Sequence, residues 1–119
     1  MNKFNLEDRL IDFCIEIDQL VEVLLNTHLG RYISNQATRS SASSALNYGE
    51  AMGAESTKDF VHKLKIVLKE LRETFVCIKI IRKRPLVKSI QLTETAYIEN
   101  EELIKIIVSS IKTANKRSR

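Results

Sequence analysis

The chain has 119 residues, 44% of them hydrophobic and 29% charged, which suits a globular protein and excludes fibrous, disulfide-rich and low-complexity classes. Three glycines, one proline and no tryptophan leave few breakers, so long helices with short connections are expected in a single domain. The formal charge of +4 hides an asymmetry: residues 1–60 carry 5 basic and 9 acidic side chains, and residues 61–119 carry 14 basic and 6 acidic. Such a division points to a polyanion-binding surface or to complementary faces that meet on assembly.

The opening MNKFNLEDRL lacks the apolar core of a signal peptide. The longest aliphatic runs, at 23–25 and 106–108, are too short to span a bilayer. A cytoplasmic protein that stays off the membrane is expected. Cys14 and Cys77 are isolated and sit in apolar-periodic segments, as buried thiols do.

The first helix is expected from about Leu6 to Asn26. Leu6, Leu10, Phe13, Ile17, Leu20 and Leu24 recur at spacings of four and three, the seam of a bundle helix. Gly30 is read as ending this helix or the connection after it. The second helix is expected from Tyr32 or Ser34 to Met52. It contains an unusual run of small residues, SSASSALNYGEAMG, in which Ala42, Leu46, Gly49 and Gly53 fall on one stripe. Small side chains let a neighbouring backbone approach closely, so this stripe is read as a packing or subunit-contact face.

Ser56 followed by Asp59 reads as an N-cap with a carboxylate at the third helical position. The third helix is expected from Thr57 to Lys83, with Phe60, Leu64, Val67, Leu71, Phe75, Ile78 and Ile81 on its apolar face and Pro85 as its stop. Residues 86–96 read as a connection with a short extended piece around Val87–Leu92. The fourth helix is expected to start near Tyr97–Asn100 and end near Ala114, with a disordered basic tail from Asn115 to Arg119. Four amphipathic helices with mostly short loops imply an all-α, antiparallel up-down four-helix bundle.

Two polar patterns stand out. Arg39, Asn47 and Glu50 share one face of the second helix, and Lys63, Glu70 and Glu73 share one face of the third. They read as ion pairs on partly buried surfaces or, more sharply, as a network fixing helix register or subunit docking. Lys65, Lys69, Arg72, Lys79 and Lys83 form a basic stripe on the third helix, and Lys105, Lys112 and Lys116 form another on the fourth. A solvated helix face is the plain alternative. The aromatic residues look few and apart from these bases, so binding directed at the backbone of RNA or DNA, without sequence preference, is the expectation.

The stretch Gln36–Phe75, QATRSSASSALNYGEAMGAESTKDFVHKLKIVLKELRETF, resembles the four-helix-bundle family of the 23S rRNA intervening sequence protein. The matching residues are Asn47 and Glu50, then Ser56, Asp59 and Phe60, then Leu64, Glu70, Glu73 and Thr74; Val67 departs from the family's small residue. The resemblance implies a homo-oligomer, a ring of five subunits. It is related to the accessory protein of diversity-generating retroelements, which works with a reverse transcriptase and binds nucleic acid through a basic surface. It implies no catalytic residue.

An enzyme is not expected. Only His28 and His62 are present, with no Gly-rich phosphate loop. Cys77 and His62 stand about 22 Å apart along one helix. Asp59 and His62 have one i, i+3 spacing of the kind that di-metal bundles use twice, so capping and surface roles are preferred and no metal or cofactor is expected. The sequence therefore suggests a non-enzymatic oligomeric bundle that binds RNA or DNA. The alternative is a structural or protein-partner adaptor with no nucleic-acid role.

Overall fold

The computed structural model describes residues 5–117. It contains four α-helices: α1 Leu6–Glu22, α2 His28–Met52, α3 Thr57–Lys83 and α4 Gln91–Arg117. Each packs on its neighbours in sequence, α4 closes back onto α1, and α1 and α3 stand diagonally across the bundle. The pairings Arg39–Glu73, Ser43–Glu70 and Glu50–Lys63 descend along α3 as they ascend along α2, which makes those helices antiparallel. The acidic α1 and the basic α3 therefore do not face each other within the chain. No helix among the described residues is long and apolar enough to cross a membrane.

Every helix turns a strip at three-four spacing toward one shared core. On α1 it is Leu6, Leu10, Phe13, Ile17 and Leu20, and on α3 it includes Leu64, Val67, Leu71, Ile78 and Ile81. These residues are aliphatic or aromatic and continuous, so the sequence pattern alone places them. The α3 bounds follow from its caps. The Ser56 side chain accepts a hydrogen bond from the Asp59 amide at 3.1 Å, and the helix ends at Lys83, ahead of Pro85.

The strip that α2 turns inward differs from the expected one. Gly30, Ile33, Ala37, Ser40, Ser41, Ser44 and Ala51 are buried, whereas Leu46, Gly49 and Gly53 are exposed and Ala42 is only partly covered. The close approach within the chain is made by the serines. Their hydroxyls can be buried because they bond to nearby acceptors. Ser44 donates to the Ser41 carbonyl at 2.7 Å, and Ser40 pairs with Thr74 of α3 at 2.6 Å. A Cβ placed on Gly49 would meet nothing within 4 Å, so no neighbour inside the chain explains the stripe Ala42, Leu46, Gly49 and Gly53.

Both ends of the α1–α2 connection also depart from expectation. Helix α1 stops at Glu22, and Leu25 donates its backbone N–H to the Leu86 carbonyl at 2.7 Å. That bond draws the chain out of the helix and ties it to the α3–α4 connection. Helix α2 then begins at His28 under the Thr27 cap, with the Gly30 amide bonded to Thr27 Oγ1 at 2.9 Å. Gly30 thus lies inside α2 and terminates nothing. A Cβ there would fall 2.5 Å from the Leu25 carbonyl oxygen, so the residue must be small.

Helix α4 starts six residues or more before the expected point and replaces the extended piece; no strand occurs among the described residues. Thr93, Ala96 and Asn100 are buried and continue the strip of Leu103 and Ile107 backward. Small and polar residues hid this strip from hydrophobic periodicity. At its other end α4 is still helical through Arg117, where a frayed tail was expected from Asn115; Ser118 and Arg119 lie outside the described residues.

Candidate nucleic-acid interface

Helix α3 carries charged side chains on two edges. On the α2 edge, Arg39 bonds to Glu73 and reaches Glu70 Oε2 at 3.3 Å. Ser43 donates to the same Glu70 oxygen at 2.8 Å, and Asn47 donates to the Ser43 hydroxyl and carbonyl at 3.0 and 2.9 Å. The hydrogen bond that Arg39 donates to Glu73 holds its guanidinium above its ordinary range. One turn-pair further along, Lys63 Nζ pairs with Glu50 Oε1 at 2.5 Å. The two polar faces read from the sequence therefore meet across the α2–α3 seam as interhelical ion pairs. Asn47 joins them through Ser43, one turn earlier on α2.

Glu70 is the buried member of this network, with its side chain 10% exposed. Its Oε2 accepts from Arg39 Nη1 and from the Ser43 hydroxyl, which offset part of its removal from water, while Oε1 is buried with no hydrogen-bond partner among the described residues. Thr74 Oγ1 bonds back to the Glu70 carbonyl at 3.0 Å and also to Ser40, so side chains of both helices are fixed in one register.

The outer edge of α3 is different. Lys65, Lys69, Arg72, Lys79 and Lys83 are all exposed, and none makes an ion pair among the described residues. Lys105, Lys112 and Lys116 are exposed on α4. The two groups adjoin at Asn115: it lines one cleft with Lys58, His62 and Lys65 of α3 and a second with Lys112 and Lys116 of α4. Lys105 lines a separate open groove of about 920 Å³ between the α2–α3 turn and the C-terminal half of α4. Lys65 of the α3 stripe thus lies near Lys112 and Lys116 of the α4 stripe, and Lys105 lies apart from them.

Spacing missed one feature of this surface. Phe75, assigned from its period to the apolar face, sits half-buried at the rim of α3. Its ring centroid lies 4.8 Å from that of Tyr97 on α4, at an interplanar angle of 46°. Lys79 Nζ stands 4.5 Å from the Phe75 centroid, and Arg82 Cζ stands 4.1 Å from the Tyr97 centroid. Aromatics and bases are therefore interleaved in space, contrary to the reading that kept them apart. The Phe75–Lys79 spacing of four was a usable signal. Tyr97 is brought in only by the packing of α4.

Burial pushes the Cys77 thiol up to about 11, which keeps it protonated at neutral pH. His62 is exposed, and the Asp59 amide serves the N-cap of α3. Among the described residues no group of three or more His, Cys, Asp or Glu side chains is placed to hold a metal ion.

The sequence profile of the family described as 23S rRNA-intervening sequence protein matches residues 3–109. A crystal structure of a protein of unknown function from the S23 ribosomal protein family of Bacteroides thetaiotaomicron superposes with a TM-score of 0.78. That protein is 31% identical, and the match covers 91% of this chain and 99% of the other. No curated protein matches. With the bundle, the α2–α3 polar pairs and this profile in agreement, the chain belongs to the 23S rRNA-intervening sequence protein family.

Proposed function

We propose that this protein is a non-catalytic, homo-oligomeric helical bundle, a ring of five subunits, that binds RNA or DNA through the outer surface of α3 and α4. One observation carries the binding half: the cations on the outer edge of α3 are exposed and unpaired, while its acidic residues face α2. Unpaired cations in a row displace condensed counterions from a phosphate backbone, and such binding is strongly salt-dependent. A reverse transcriptase or another nucleic-acid enzyme is a fitting protein partner for such a ring.

The assembly half is supported by apolar residues with no partner inside the chain. Leu46 is 68% exposed on the same stripe as Gly49, and Ile11 and Ile15 are exposed on the adjoining α1. A ring contact covering this stripe would remove them from water. Light scattering at micromolar concentration should give a multiple of the 13.7 kDa chain mass. Gly49→Leu should lower that mass without unfolding the subunit, because a Cβ at this exposed position meets nothing within 4 Å. A monomeric wild type ends the ring proposal.

Binding is tested by titrating labelled RNA and DNA over a range of salt. Log affinity should fall against log salt with a slope of about −0.9 per neutralised phosphate for duplex DNA and about −0.7 for single strands. The Lys65→Ala, Lys69→Ala, Arg72→Ala triple variant should bind all sequences more weakly and flatten the slope by about two to three units. Lys58 is a poor control because it shares a cleft with Lys65; Lys88, in the α3–α4 connection, is a better one. Absence of salt-sensitive binding in the wild type would leave the adaptor role in its place.

A further inference from the structure

We propose that Phe75 and Tyr97, with Lys79 and Arg82 over them, form a stacking site for a base of single-stranded nucleic acid. This rests on the nucleic-acid reading above and adds to it the strand class and the residues that recognise it.

Arg72, Phe75, Lys79 and Arg82 recur at intervals of three, four and three, so cation, ring, cation and cation follow one another along one edge of α3. Tyr97 reaches this edge from α4 and packs at 4.8 Å from Phe75. A ring pair serving only the core would be covered by aliphatic side chains. Here the covers are two long, exposed cations. Arg82 is oriented by a two-point ion pair to Glu94, at 3.0 and 2.7 Å, which holds its guanidinium over the Tyr97 ring. Cation–ring contacts and ion pairs in solvent are both weak, so a nucleobase can displace them.

Displacement frees charges that a nucleic acid can use. When a base covers Phe75, the Lys79 ammonium is released toward the phosphates on either side, beside Arg72. The Arg82 guanidinium is planar and can stack on the second face of the base or pair with a phosphate. Bases of a duplex are stacked on one another and present no free face, whereas unpaired bases do. The site therefore selects single strands, and it does so without reading base identity, because every base has a π-face.

The experiment uses two labelled 12-nucleotide single strands of matched phosphate number, oligouridylate and an abasic strand, and a 12-base-pair duplex. Stacking is worth roughly 5- to 150-fold in affinity for one base. The wild-type protein should bind oligouridylate tighter than the abasic strand by a factor in that range at the same salt. Phe75→Leu should reduce oligouridylate affinity to the abasic level while leaving the abasic affinity and the salt slope unchanged. Lys79→Gln should instead lower affinity for both strands and flatten the slope by about 0.7. Tyr97→Phe keeps the ring and should bind as the wild type does.

Equal binding of the abasic strand and oligouridylate by the unmutated protein would overturn the stacking site and leave a purely electrostatic surface. That comparison needs no variant, so it stands even if Phe75→Leu loosens the bundle. Tighter binding of the duplex than of oligouridylate, compared per phosphate, would also overturn it. No binding of any probe would remove the nucleic-acid reading itself.

Discussion

The two edges of α3 carry charge for different ends. On the α2 edge, Glu70 and Glu73 meet Arg39, and Lys63 meets Glu50 across the seam. On the outer edge, five cations meet no carboxylate among the described residues. The helix has both signs of charge along its length, but tertiary packing sorts them by face. Paired charges fix how two helices sit together. Unpaired charges stay available to something outside the chain. The net charge of α3 does not show this, because it says nothing of the face on which each charge lies.

The contrast breaks most visibly at Arg39. Arg39→Ala leaves the buried Glu70 with Ser43 as its remaining side-chain donor, and the bundle should lose about 2 kcal/mol of stability. Urea denaturation measures this; a change below about 0.5 kcal/mol would mean that the seam holds without its cation. Nucleic-acid binding by the folded variant should be unaltered.

Lys63→Ala removes the other cation of the paired edge. Its partner Glu50 is 60% exposed, so the loss should not exceed about 1 kcal/mol. A larger loss would show that Glu50 is covered in the assembled protein. On the outer edge, the triple variant of Lys65, Lys69 and Arg72 should keep wild-type stability or gain slightly, since Ala is the better helix former and no contact is broken. A clear destabilisation there would sink the distinction between the edges.

The smallest effect concerns Glu16 on α1, a carboxylate with one buried oxygen that has no hydrogen-bond partner among the described residues. Burial raises its pKa, and the nearby charges of Glu99 and Asp12 raise it further. A carboxyl whose folded pKa lies above its unfolded value favours folding while protonated. That advantage is present below the unfolded pKa and is lost as pH rises through the folded one. Glu16→Gln should therefore stabilise the protein slightly at neutral pH and make little difference in acid. Equal effects at both ends of the pH range would show that Glu16 acts through packing. Glu16 contrasts with Glu70: each has one buried oxygen without a hydrogen-bond partner among the described residues, but only Glu70 also has a cation.

Much of the bundle was legible. The four-three recurrence of large aliphatic residues fixed the inward faces of α1 and α3, and Ser56 and Pro85 bounded α3 at Thr57 and Lys83. Those signals are local, since a cap or a period acts within one or two turns. The polar residues of the α2–α3 seam were also found, because positions that share a face on each of two adjacent helices can meet.

Packing decided the rest. Ser40, Ser41 and Ser44 face inward and Gly49 outward, and no hydropathy scale separates them; their neighbours on α3 do. Thr93, Ala96 and Asn100 belong to α4 because the core has room there for small and polar side chains, with Asn100 Nδ2 donating to the Leu71 carbonyl at 3.1 Å. The bond from Leu25 to Leu86 ends α1 early, and it joins residues 61 positions apart. Tyr97 lies beside Phe75 for the same reason. Sequence spacing determines which residues share a face of one helix. Which faces meet depends on how the helices pack, and that choice turns scattered bases and rings into a surface.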